Sequence, residues 1–221
     1  MNSLSDAEVL SAVVEQAAMP VEQHEQGVFH PDQDITTRDG KLWTELRLRE
    51  PTVFHCLQAA KVIGKKPTIE SIYDSQIDMV CRISGWPKVA VDQLSTRLLD
   101  QAVAYVSAFD ENARRKPDEE PDCRDRLILT FSPEIEAVGQ SFSEMSLREP
   151  VVSERRRYKA SESRGSFADF LQAEIDLVAA ISGWPLAAVL KMPISKFAVG
   201  ADYLTGFFIA GHQTGNPFPL T

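Results

Sequence analysis

The sequence is short of the residues that staple a fold or bind a metal. Its three cysteines, Cys56, Cys81 and Cys123, are an odd number at wide spacing with no CxxC pair, which argues against a disulfide framework or a zinc site. They read as reduced thiols, and Cys56 and Cys81 fall on apolar helix faces, where a free cysteine acts as a small hydrophobe. The four histidines, His24, His30, His55 and His212, are scattered over an arm, a loop, a helix and the tail, so no metal site is expected. No run of about 18 apolar residues exists, and the first residues lack the basic-then-apolar order of a signal peptide, so neither a membrane span nor secretion is expected. GxSxG, HExxH, a Walker loop and GxGxxG are also missing, and with them any local sign of an enzyme or a cofactor.

With 221 residues, 43% of them apolar and 25% charged, the chain can bury an ordinary core in one domain or two. Its net charge of −9 is unevenly placed: residues 1–26 carry five acids and no base, whereas residues 27–109 balance ten acids against ten bases. An acidic chain repels a phosphate backbone, so nucleic-acid binding would need a local basic patch. The one candidate, Arg155, Arg156 and Arg157, flanked by Glu154, Lys159 and Glu162, reads better as a solvated helix face.

Self-similarity organises what is there. Leu48-Arg49-Glu50-Pro51 recurs as Leu147-Arg148-Glu149-Pro150, and Ile83-Ser84-Gly85-Trp86-Pro87 recurs as Ile181-Ser182-Gly183-Trp184-Pro185. The offsets are 99 and 98, so a single length difference between the words keeps both in register. Gly40 and Gly139, Trp43 and Phe142, and Glu45 and Glu144 extend the first offset upstream. Each copy should open on a β-hairpin. In the first, Ile35–Arg38 and Leu42–Leu48 flank Asp39-Gly40, and Leu42, Thr44, Leu46 and Leu48 alternate onto one side; in the second, Ile128–Ala137 and Ser141–Leu147 flank Val138-Gly139.

Each proline of the first word can sit in the first turn of a helix, near Thr52–Val62 and Val151–Ser161. A longer helix follows, with Ile69, Ile72, Tyr73, Ile77 and Val80 on one face and Phe167, Phe170, Leu171, Ile175 and Val178 repeating it. Ser-Gly-Trp-Pro ends that helix, because glycine tolerates the left-handed conformation past a C-terminus and proline stops continuation. After a short segment, a last helix pairs Leu99, Val103 and Val106 with Phe197, Ala201 and Leu204, Tyr105 with Tyr203, and Phe109 with Phe207.

The expected fold is therefore α+β and predominantly helical: two repeated modules, each a β-hairpin followed by three helices. The organisation reads as an N-terminal helix and acidic arm over 1–33, a first module over 34–109, a charged linker over 110–126, a second module over 127–211 and a tail over 212–221. In the arm, Ser5-Asp6-Ala7-Glu8 forms a capping box with Leu4 and Val9 placed as a hydrophobic staple, so an amphipathic helix is expected over Asp6–Ala18. The linker, containing Arg114-Arg115-Lys116-Pro117-Asp118-Glu119-Glu120-Pro121, shows no apolar period and reads as solvated.

Glu50 and Glu149 stand beside helix starts, where an acid favours the positive end of the helix dipole and the preceding arginine forms a local ion pair. Trp86 and Trp184 are either core plugs at a helix stop or exposed anchors for a partner. Tyr203, Phe207 and Phe208 on the last helix, with the N-terminal helix, complete the expected partner-contact set, although core packing explains the aromatics equally well.

The succession of a short hairpin, an L-R-E-P word, an I-S-G-W-P word and a terminal aromatic helix resembles the tail assembly chaperones of Mu-like and P2-like bacteriophages, over residues 34–109 and 128–210. The resemblance implies a protein of the infected bacterium's cytoplasm that binds the phage tape measure protein and keeps it soluble until the tail tube assembles, and that is absent from the mature virion. It implies no catalysis, no cofactor, no nucleic acid and no membrane, and it leaves self-association open. The chain departs from the family in carrying two modules where one is usual, so tandem copies could bind adjacent segments of one target. The alternatives are a structural phage tail or baseplate component, or an acidic regulatory protein-binding module.

Overall fold

The computed structural model of the chain describes residues 27–213, with side chains as far as Ile209. The helix expected over Asp6–Ala18 and the breaker-rich stretch 215–221 lie outside the described residues. The chain falls into two compact units, residues up to Glu111 together with Ser166–Ala168, and the remainder.

Both modules follow one plan. The first has strands β1 (Val28–Phe29), β2 (Ile35–Thr36), β3 (Leu42–Trp43) and β4 (Leu46–Arg47), then helices α1 (Val53–Ile63), α2 (Ile69–Ser84), α3 (Lys88–Val91) and α4 (Thr96–Glu111). The second has strands β5 (Arg126–Ala137) and β6 (Gln140–Arg148), then α5 (Val152–Glu162), α6 (Phe167–Ser182), α7 (Leu186–Lys191) and α8 (Ile194–Gln213). The α+β class, the helical predominance and the repetition agree with the sequence. The short segment after each Ser-Gly-Trp-Pro is itself helical, so each module has four helical segments.

The four short strands of the first unit are the counterpart of the single hairpin in the second. Phe29 pairs with Leu46 and Ile35 with Trp43; likewise Leu129 pairs with Met145 and Ile135 with Phe142. Each first strand thus takes six residues where its partner takes three, a bulge at the same place in both copies. The bulge breaks the alternation expected for Leu42, Thr44, Leu46 and Leu48. Leu46 and Leu48 are buried, but Leu42 is 55% exposed and Trp43 turns inward in its stead.

The turns differ. In the first module Gly40 N–H bonds Thr37 O and only Gly40 takes a positive φ, so Arg38-Asp39-Gly40 forms a three-residue loop rather than a two-residue Asp-Gly turn. In the second, Val138 and Gly139 have φ of 48° and 74°, the pattern of a two-residue type I′ turn. A β-branched residue in this conformation is strained, and Val138 is 65% exposed, so its side chain contributes little burial in return. Val138→Asn is expected to stabilise the second module by about 1 kcal/mol, read as a higher midpoint in urea unfolding.

The change of offset from 99 to 98 lies in the helix connection, which is five residues (Gly64–Thr68) in the first module and four (Ser163–Ser166) in the second. Pro51 and Pro150 stand just outside their helices rather than in the first turn, because Thr52 and Val151 are the N-caps. Each cap residue keeps an N–H that a proline would lack: Thr52 N–H donates to His55 Nδ1 at 3.1 Å, and Val151 N–H to Glu154 Oε2 at 2.8 Å.

The long-helix stripes are buried only in part. Ile72, Ile77 and Val80 are in the first core, and Ile175 and Val178 in the second, but Ile69 is 74% exposed and Tyr73 and Phe170 are exposed as well. The last helices bury Leu99, Val103 and Val106 in one unit and Phe197, Ala201 and Leu204 in the other.

Candidate functional site

The repeated words turn out to carry structure. In each Ser-Gly-Trp-Pro, the serine Oγ accepts the tryptophan backbone N–H at 3.1 Å, and the glycine, at φ 73° or 72°, closes the long helix by donating to Cys81 O or Ala179 O. The proline caps the next helix, its carbonyl accepting from Val91 or Val189. The tryptophan is left pointing into its module. Trp86 lies 5.2 Å from the Trp43 ring; Trp184 lies 5.1 Å from Phe131 and 4.9 Å from Phe142. Both are buried, so each locks the hairpin onto the helices.

A second aromatic pair is also repeated. Tyr105 and Phe109 stand edge to face at 5.4 Å, Tyr203 and Phe207 at 5.3 Å, and the Tyr203 hydroxyl donates to Arg124 O at 2.7 Å. Tyr203 and Phe208 are buried, while Phe207 is half-buried. Phe208 packs on Tyr158 at 5.3 Å and under the Arg155 guanidinium at 4.9 Å, and Arg155 also donates to Phe208 O. The arginine run is therefore not wholly a solvated face, since Arg155 is engaged and only Arg156 and Arg157 are exposed.

Polar groups specialise the second module. Arg114 reaches Glu174 with both terminal nitrogens, at 3.1 and 3.0 Å, and Asp202 at 3.2 Å, joining the linker to α6 and α8. At the matching positions the first module has Gln76 and Ala104, so it lacks this clamp. The arginine of the first word, Arg148, makes a bidentate pair at 2.9 Å with Glu154, three residues beyond the N-cap, and bonds only the backbone of Glu149. The acid at the helix start is thus Glu154 rather than Glu149, and Arg148 with the Val151 N–H holds its carboxyl below the usual range.

In the first module His55 takes the place of Glu154. Burial, then the nearby Arg49 and Arg82, hold its imidazole below the usual histidine value. A neutral ring is also what the cap requires, because Nδ1 accepts the Thr52 N–H. The unfolded chain binds this proton more readily, so the cap's contribution is complete above about pH 6.5 and is lost as pH falls below it. The urea midpoint of the first module should drop between pH 7.5 and 5, and His55→Ala should flatten that dependence.

Among the described residues no group of three or more His, Cys, Asp and Glu is placed to hold a metal ion, and no helix is long and apolar enough to cross a membrane. Burial pushes the Cys81 thiol up to about 11, which keeps it protonated and unreactive at neutral pH.

Part of the exposed surface is apolar. Phe54 and Val62 on α1 and Ile69 and Tyr73 on α2 are exposed, and α1 packs along α2. In the second module Val152 and Phe170 are exposed. The periodicity places Ile69 and Tyr73 in the core stripe; the one contrary signal is that Ile69 directly follows the cap Thr68, whose hydroxyl accepts the Ser71 N–H at 3.0 Å. A first-turn residue overhangs the core instead of facing it.

Compared with known families, residues 29–111 and 128–209 each match the model of the family described as phage tail assembly chaperone proteins, E, or 41 or 14. No curated protein and no solved structure matches the chain.

Proposed function

Because the chain belongs to the phage tail assembly chaperone family through both of its modules, we propose that it binds the phage tape measure protein and keeps that long chain soluble until the tail tube assembles around it. The double family match carries this reading. The exposed Phe54, Ile69, Tyr73 and Phe170 support it, since solvent-facing apolar side chains on helices suit a partner that presents apolar helical stripes. The net charge of −9 supports it too, by keeping chaperone and complex apart from one another in solution. The work belongs in the cytoplasm of the infected cell and leaves no copy in the finished virion. Two modules on one chain can engage neighbouring stretches of one partner, so the second engagement is intramolecular and residence lengthens without new kinds of contact.

Co-expression tests this. A tape measure fragment that aggregates alone should move into the soluble fraction with the full chain and co-purify with it. A fragment whose solubility is unchanged, or abundant chain in purified virions, would count against it.

A further inference from the structure

The tip of the first module's helical hairpin joins two features that the module's own packing does not use. Val62 lies in the last turn of α1 and Ile69 opens α2; Ile69 and Tyr73, four residues apart, share a helix face, and all three are exposed. Beside them in the chain Lys61, Lys65, Lys66 and Glu70 are exposed as well. The patch is apolar, and the three lysines outnumber the one acid at its margin.

The chain's first 26 residues have the complementary character, with five acids and no base. Behind the capping box at Ser5, the residues Leu10, Val13, Val14 and Ala17 recur at the spacing of one helical face. Reach is sufficient. Gly27, where this arm joins the fold, accepts the Leu48 N–H at 2.8 Å, close before α1 in the chain. An 11-residue α1 is about 16 Å long. Residues 19–26 can span about 26 Å when extended, before the stripe itself begins.

We propose that the N-terminal arm docks its Leu10, Val13, Val14 and Ala17 stripe on Val62, Ile69 and Tyr73 of its own chain, covering the patch until a partner displaces it. Glu8 and Glu15 fall on the opposite flank of such a helix, so the lysines draw the arm in over roughly a Debye length rather than by close pairing, and added salt weakens the attraction. Apolar contact supplies the rest. Displacement by a partner rests on the chaperone reading; docking itself does not, and it is measurable on the chain alone.

Hydrogen exchange on the full-length chain, followed in peptides covering 62–73, provides the test. In Leu10→Asp/Val14→Asp these amides should exchange about tenfold faster than in the unmodified chain, while those of 167–182 are unchanged. Lys65→Glu/Lys66→Glu, confined to exposed positions of the first module, should accelerate the same peptides at low salt and keeps the test decisive should the arm variant fold poorly. Equal exchange in the unmodified chain and both variants would overturn the docking and leave the chaperone reading standing. Protection that rises with protein concentration would also overturn it, by placing the arm on a second copy. A docked arm in a chain that fails to solubilise the tape measure fragment would have the opposite meaning.

Discussion

Trp184→Ala should destabilise the second module by about 3–5 kcal/mol, the usual range for deleting a large buried aromatic. The indole is held between Phe131 and Phe142, one from each strand of the hairpin, and its loss leaves a cavity where hairpin meets helices. Backbone geometry will not close the gap, because Gly183 and Pro185 fix the chain on either side of it. The chain carries three tryptophans, and in this variant the two that remain, Trp43 and Trp86, both belong to the first module. Fluorescence then follows the first module alone while far-ultraviolet circular dichroism follows both. Urea unfolding should show an early dichroism transition that fluorescence does not share. Coincident curves with an unchanged midpoint would mean that the tryptophan is not holding its module together. Trp184→Phe, which restores part of the volume, should recover a large share of the loss.

How much of this was legible beforehand depended on whether a residue acts locally or through a distant neighbour. Ser-Gly-Trp-Pro is a local device: a left-handed glycine, a serine that takes the tryptophan N–H and a capping proline operate within five residues, so the word announces its helix stop wherever it occurs. The duplication was equally legible, since it needs only the two words in order. The bulge was not, because period-two alternation presumes an unbroken ladder, and the residue facing the core passes from Leu46 to Trp43 without any change in composition. Burial along α2 departs from the pattern at its start for a related reason: helical periodicity says which residues share a face, but not how much of that face is covered, and Ile69 in the first turn is 74% exposed. The Arg114 clamp depends on Glu174 and Asp202, 60 and 88 residues away, and nothing in a run of charged linker residues marks which one will be ordered. Of the expected partner-contact aromatics, Trp86, Trp184, Tyr203 and Phe208 are buried within their own units. Part of the exposed apolar surface, at Ile69, Tyr73 and Phe170, lies on residues the pattern assigned to the core.

Gly27→Ala should cost the first module about 2–4 kcal/mol, from two sources that add. Gly27 sits at φ +69°, where a Cβ costs about 1–2 kcal/mol. That Cβ would also stand 2.4 Å from Leu48 O and 2.7 Å from two ring atoms of Tyr105. Neither neighbour can easily withdraw. Leu48 is tied to Gly27 by its own N–H, and Tyr105 is flanked by Phe29 at 5.7 Å and Phe109 at 5.4 Å. Gly40→Ala isolates the first source, since Gly40 has φ +79° and a Cβ there meets nothing within 4 Å; it should cost only about 1–2 kcal/mol. The comparison is best read from urea midpoints of the two variants by tryptophan fluorescence in a Trp184→Phe background, so that only the first module reports. Equal losses would show that Tyr105 moves aside freely. A larger loss at Gly27 would show that the edge-to-face aromatic group, present again around Tyr203, fixes how the arm enters the fold.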